Sequence, residues 1–235
     1  MSAPAPTGAW GPDLLGPGFE ARTLELLPDE EDDGAVATLV RYLPALDPGA
    51  LPGTPTTPTF IYLYLHGWND YFFQTHLARE ISRLGGAFYA LDLRRYGRSW
   101  REGQMLGWCT SLAEYDEDLG RALSAIRADQ GWETELVLSG HSTGGLVASL
   151  WADRHPGAVD ALVLNGPWLE IQGSPLVRVV GSGVESIEGS PELSAEDAAP
   201  AIALDESMYV PSEEDADSRS YTVRRTGPPA HAPVA

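Results

Sequence analysis

The sequence predicts an α/β fold with a mostly parallel sheet and helices on both faces. Three observations carry that prediction. Strand-like and helix-like stretches alternate from about residue 59 to residue 168. The length, 235 residues, suits one domain of this class with a real core. A strand pattern, a tight Gly-rich turn and a helix pattern also follow one another over residues 136–154. Such alternation implies parallel strands joined by right-handed crossovers.

In chain order, residues 1–18 are rich in Pro, Gly and Ala and read as a flexible leader. Thr23–Leu27 and Val36–Leu43 flank the acidic turn Pro28–Gly34 and read as an antiparallel hairpin, with the turn itself solvated. Pro44, Pro48, Pro52, Pro55 and Pro58 make residues 44–58 a loop. Phe60–Leu65 is a continuous apolar and aromatic run, the mark of a strand buried on both faces. A helix follows over Gln74–Leu84, then a strand over Ala87–Leu93. Ser111–Asp129 has helical period, with Leu112, Tyr115, Leu119, Leu123 and Ile126 on one side. Leu136–Leu138 is a further strand, Leu146–Arg154 a helix, and Ala161–Leu164 another strand. The pattern fades after Trp168, although Pro175–Val180 can start a helix. Residues 19–182 are therefore expected to form the core, and residues 183–235 an acidic, weakly ordered cap remnant or tail.

The net charge of −19 argues against nucleic acid and anionic membranes as partners. Eight acids face Arg22 alone within residues 13–33, and eleven face three arginines within residues 183–235, so the acidity lies at the two ends. No apolar run approaches the ~20 residues of a membrane span. Met1–Trp10 lacks the basic and apolar regions of a secretory signal. The single cysteine, Cys109, cannot form an internal disulfide, so a reducing cytoplasm is the simplest setting. There is no His/Cys group with metal-ligand spacing, no G-x-G-x-x-G and no P-loop, so no cofactor is expected.

Chemistry is carried by Gly140-His141-Ser142-Thr143-Gly144, a G-x-S-x-G pattern between a strand and a helix. In a nucleophile elbow the turn is too tight for side chains two residues before and after the serine, hence Gly140 and Gly144. Ser142 is then the nucleophile, strained and raised above the sheet, with a helix N-terminus aimed at the developing oxyanion. The alternative is an ordinary Gly-rich turn. His66-Gly67-Trp68 closes the first buried strand and reads either as half of an oxyanion hole or as a plain turn. Trp68, Tyr71, Phe72 and Phe73 read as an acyl pocket or as packing.

Four segments in order carry a resemblance: 65–71 (Leu-His-Gly-Trp-Asn-Asp-Tyr), 91–99, 140–145 and 163–168. Over about residues 22–180 the chain resembles the α/β-hydrolase superfamily, in its serine aminopeptidase-like and monoacylglycerol-lipase-like branch, lysophospholipases included. That resemblance implies a serine hydrolase acting on carboxylic esters (lipid-like or small acyl) or small amides through an acyl-serine intermediate. It implies Ser142 as nucleophile, with the backbone amides of Trp68 and Thr143 as the oxyanion hole. It also implies a cap and two further strands, more than the remaining residues hold, so a fold incomplete at the C-terminus is expected.

The family order is serine, then acid, then histidine, the last two on later loops. His66 and His141 belong to the turns, His76 to the first helix, and His155 to the end of the helix that Ser142 begins. Only His231 follows in the right order, and Asp205, Asp215 and Asp217 are candidates for the acid by order alone. Acid and base are thus unassigned. The alternative reading of the chain is a catalytically impaired remnant that binds or has no function.

Overall fold

The computed structural model describes residues 8–29, 34–169 and 220–224. Strand β1 (Gly11–Pro12) pairs antiparallel with β2 (Phe19–Glu25), and β2 with β3 (Val36–Tyr42) in the register Phe19↔Tyr42 to Glu25↔Val36. This is the expected hairpin, with β2 starting earlier than its apolar residues suggest. Glu20 and Arg41 face each other across it and pair at 2.7 Å, so polar residues that interrupt the hydrophobic pattern still belong to the ladder.

Next come β4 (Phe60–Leu65), α1 (Thr75–Arg83), β5 (Gly86–Asp92), α2 (Tyr115–Gln130), β6 (Glu135–His141), α3 (Thr143–Arg154) and β7 (Ala161–Asn165). The sheet order is β1-β2-β3-β5-β4-β6-β7-β8. Its four central strands, β5-β4-β6-β7, are parallel, and β3 joins β5 antiparallel.

Side chains alternate between two cores because successive strand residues point to opposite faces. Ile61, Leu63, Leu65, Leu91, Leu136 and Leu138 pack with Leu119 and Ile126 of α2 and with Val147 and Trp151 of α3. Tyr62, Tyr64, Phe88 and Ala90 face the other way, toward Phe72 of the preceding loop and Ala78 of α1. Helices therefore cover both faces, and β4 is buried on each, as its unbroken apolar run requires.

Three expectations are corrected. Residues 8–18 belong to the fold rather than to a mobile leader: β1 is in the sheet, Trp10 stacks on Arg41 at 4.1 Å, and Asp13 pairs with Arg98 at 2.7 Å. Asp29 of the acidic turn is not simply solvated; it pairs with Arg94 at 3.3 Å and Arg95 at 2.5 Å. Within the tail, Ser220–Arg224 forms β8, antiparallel to β7 from Ser220↔Asn165 to Arg224↔Ala161. Its sequence, Ser-Tyr-Thr-Val-Arg, has β-favouring residues but too short a run to stand out in acidic surroundings. The rest of residues 183–235 and the stretch Pro175–Val180 lie outside the described residues. None of the described helices is long and apolar enough to cross a membrane.

Candidate active site

The parallel register puts three strand ends side by side. Leu65, which ends β4, is opposite Gly140, and His141, which ends β6, is opposite Asn165, which ends β7. In open α/β sheets ligands bind beyond the carboxyl ends of the strands, and Ser142 lies there, between the last residue of β6 and the first of α3. The helix starts at Thr143, three residues before its apolar pattern suggests, because the elbow runs directly into it.

Ser142 has φ 52° and ψ −119°, a region that a side chain rarely adopts. The surroundings hold it there. Its N–H donates to the Asn165 carbonyl at 3.0 Å, and its carbonyl accepts from the Trp168 N–H at 2.9 Å. A Cβ on Gly140 would run into the Gly144 carbonyl, and a Cβ on Gly144 into the His66 carbonyl, so both glycines are required by close approach. A Cβ on Gly145 would lie 2.8 Å from that of Pro167. Gly67 abuts the elbow from the other side: its missing Cβ would be 3.2 Å from the Ser142 Cβ. The turn expected beside the serine is therefore beside it.

The aromatic group after that turn divides. Phe72 is fully buried in the α1 core, which is packing. Trp68 is 62% exposed, Phe73 52% and Tyr71 38%, so these three line the surface at the carboxyl end of β4. Trp100, Trp108 and Trp168, from loops after β5 and β7, are also exposed.

The segment after β5 is fixed by ion pairs that sequence reasoning did not find. Arg94 donates from its backbone N–H and its Nε to the two oxygens of Asp118, at 2.7 and 2.8 Å. Arg98 bridges Asp13 and Asp92, and Asp92 accepts the Phe72 N–H at 3.0 Å. The neighbouring carboxylates hold the Arg94 and Arg98 guanidinium groups above their usual range. Burial pushes the Asp118 carboxyl up to about 6, against the opposing pull of Arg94. The sequence signal was present only as Leu-Arg-Arg-Tyr-Gly-Arg, three arginines in a segment between an apolar strand and a helix.

The described histidines have other positions or partners than a base for Ser142. His66 is buried between the Gly67 carbonyl at 2.8 Å and the Leu93 N–H at 3.1 Å. The Nδ1 of His141 is 3.1 Å from the Asn165 carbonyl. His155 caps α3 and stacks on Trp151 with ring centroids 4.6 Å apart. His76 is exposed on α1. The candidates Asp205, Asp215, Asp217 and His231 lie outside the described residues. Among the described residues no cluster could hold a metal ion.

Sheet order, two-sided helices and a strained serine at a strand-to-helix turn define an α/β-hydrolase. More particularly, the chain belongs to the serine aminopeptidase family S33, which it matches over residues 57–207. It is 34% identical over 116 residues to a monoacylglycerol lipase of Mycolicibacterium smegmatis, covering 48% of this chain and 40% of the lipase. It is 32% identical over 97 residues to lysophospholipase L2 of Escherichia coli, covering 40% of this chain and 28% of that protein. The chain thus spans less than half the length of these curated relatives. Among solved structures it is similar to a carboxyl esterase from Bacillus coagulans, with a TM-score of 0.46, 16% identity and coverage of 61% and 43% of the two chains. A CIB-like hydrolase from Thermoplasma acidophilum gives 0.45 and 17%, over 65% and 64%.

Proposed function

We propose that the protein hydrolyses carboxylic esters, lipid-like or small acyl, or small amides, through an acyl intermediate on Ser142. The observation that carries this is the backbone of Ser142, held at φ 52° where α3 begins and where the ends of β4 and β7 flank the end of β6. A strained serine with little room around it is retained where the strain serves chemistry. In the first step the Ser142 oxygen attacks the substrate carbonyl and its proton passes to a base. The carbonyl oxygen becomes an oxyanion, held by the backbone N–H groups of Trp68 and Thr143 and favoured by the N-terminus of α3. The tetrahedral species collapses, the alcohol or amine leaves with that proton, and water then releases the acid by the reverse sequence. His231 is a candidate for the base by its order in the chain alone, and the acid and base are otherwise unassigned.

The curated relatives are named for a monoacylglycerol and for lysophospholipids, and exposed Trp68, Tyr71 and Phe73 beside the elbow suit an acyl chain. The charge of −19 disfavours anionic substrates, nucleic acid and anionic membranes. No cofactor is called for. Cys109 is half-buried and unpaired, which fits a cytoplasmic setting. The test is turnover of p-nitrophenyl butyrate by the parent, Ser142→Ala and His231→Ala. Turnover that disappears with Ser142→Ala is expected. A parent no faster than Ser142→Ala contradicts the reading, and an unchanged His231→Ala removes that histidine from it.

A further inference from the structure

We infer that His66 is a positioning residue, whose Nδ1–H fixes the Gly67–Trp68 peptide unit and thereby aims the Trp68 amide. The inference rests on the reading of Trp68 as an oxyanion donor. The Gly67 carbonyl lies 2.8 Å from His66 Nδ1 and can only accept, so Nδ1 carries the proton. The Leu93 N–H can only donate, and it lies 3.1 Å from Nε2, so Nε2 is the bare nitrogen. One neutral tautomer satisfies both bonds.

Those bonds matter because of peptide planarity. The Gly67 carbonyl and the Trp68 N–H belong to the same trans unit, in which C=O and N–H point in opposite directions. Holding the carbonyl against His66 therefore turns the Trp68 N–H away from the ring. Gly67 itself lies against Ser142 and His141. Trp68 has no burial of its own to fix this peptide, being 62% exposed. The imidazole is held in turn. It is buried, Tyr96 packs edge-on against both it and Trp68 with centroids at 4.9 and 6.1 Å, and Leu93 and Tyr96 belong to the segment clamped by Arg94 and Arg98. The second nitrogen of His66 thus ties the turn after β4 to the rigid segment after β5.

The two ring nitrogens can be separated by substitution. An Asn amide at this position can replace the Nδ1 donor, and a Gln amide reaches the Nε2 position instead. The full chain, His66→Asn and His66→Gln are compared in the rate of Ser142 labelling by a fluorophosphonate and in the kcat and KM for p-nitrophenyl butyrate. We expect His66→Asn to stay within about threefold of the parent. His66→Gln should lose on the order of 10–10²-fold in labelling rate and kcat with little change in KM, as for a misplaced oxyanion donor. Equal losses in both variants, or none in either, overturn the inference. A second measurement does not need activity: the ¹³C shift of the Gly67 carbonyl, and the ¹⁵N shifts of the His66 ring in the parent. Nδ1 should be the protonated nitrogen, and the carbonyl shift should move in His66→Gln but not in His66→Asn. The opposite tautomer, or a carbonyl indifferent to both substitutions, overturns it. A parent that fails to label contradicts the nucleophile assignment instead, and these shifts then decide the role of His66.

Discussion

At the residue scale, Ser142 sets stability against chemistry. Its φ of 52° is paid for by the bonds to Asn165 and Trp168 and by the space that Gly140 and Gly144 leave. Strain of this kind costs on the order of 1–3 kcal/mol for a residue with a side chain and nearly nothing for glycine. Ser142→Gly should therefore be more stable than Ser142→Ala by about 1 kcal/mol, after the greater freedom of glycine in the unfolded chain is offset. Urea unfolding of the two variants checks this, since neither has the hydroxyl. Equal midpoints would mean that the elbow stores no strain. The glycine spacing made this legible in the sequence. The hydrogen bonds that hold the serine were not legible, because they come from residues 165 and 168, on the next strand and its loop.

At the scale of elements, the segment from Leu93 to Ser99 is held by charge, and charge gives it a pH response. Asp118 is fully buried, and its carboxyl is pushed up to about 6 by loss of water. An acid whose folded value lies above its unfolded value, about 3.9, binds its proton more tightly in the fold. That contribution to stability is complete below the unfolded value and is lost as pH rises through about 6. The unfolding free energy of the parent, measured against Asp118→Asn, should therefore fall as pH rises from about 4 to about 7. A flat difference would contradict the assignment. Removing the carboxyl group outright is a harsher change. Asp118→Ala leaves Arg94 buried with Asp29, Glu114 and Glu117 as its remaining partners, and should cost about 3 kcal/mol.

These elements also show what a local pattern reveals. β4 was legible because a strand buried on both faces must be apolar throughout, and α2 because its buried side repeats at helical spacing. Residues 8–18 were not, because Pro and Gly hide a two-residue strand, and because Asp13 finds Arg98 85 positions away. The same holds for Asp29 and Arg95, which are 66 apart.

At the scale of the molecule, the parallel centre of the sheet gathers the turn after β4, the elbow after β6 and the loop after β7 at one end. Helices α2 and α3 pack one face, and α1 the other. The alternation of patterns over residues 59–168 was enough to foresee that gathering, since parallel strands place every strand's carboxyl end together. The position of β8 beside β7 depends on pairing across the whole intervening segment, which no local pattern states. The proposed function rests on one atom at the gathered end, the Ser142 hydroxyl oxygen. The most direct test is the intact mass of the full chain after reaction with a fluorophosphonate, followed by peptide mapping. One adduct on Ser142, absent from Ser142→Ala, is the expected result. An unlabelled parent, or an adduct that persists in Ser142→Ala, contradicts the assignment of this protein as a serine hydrolase.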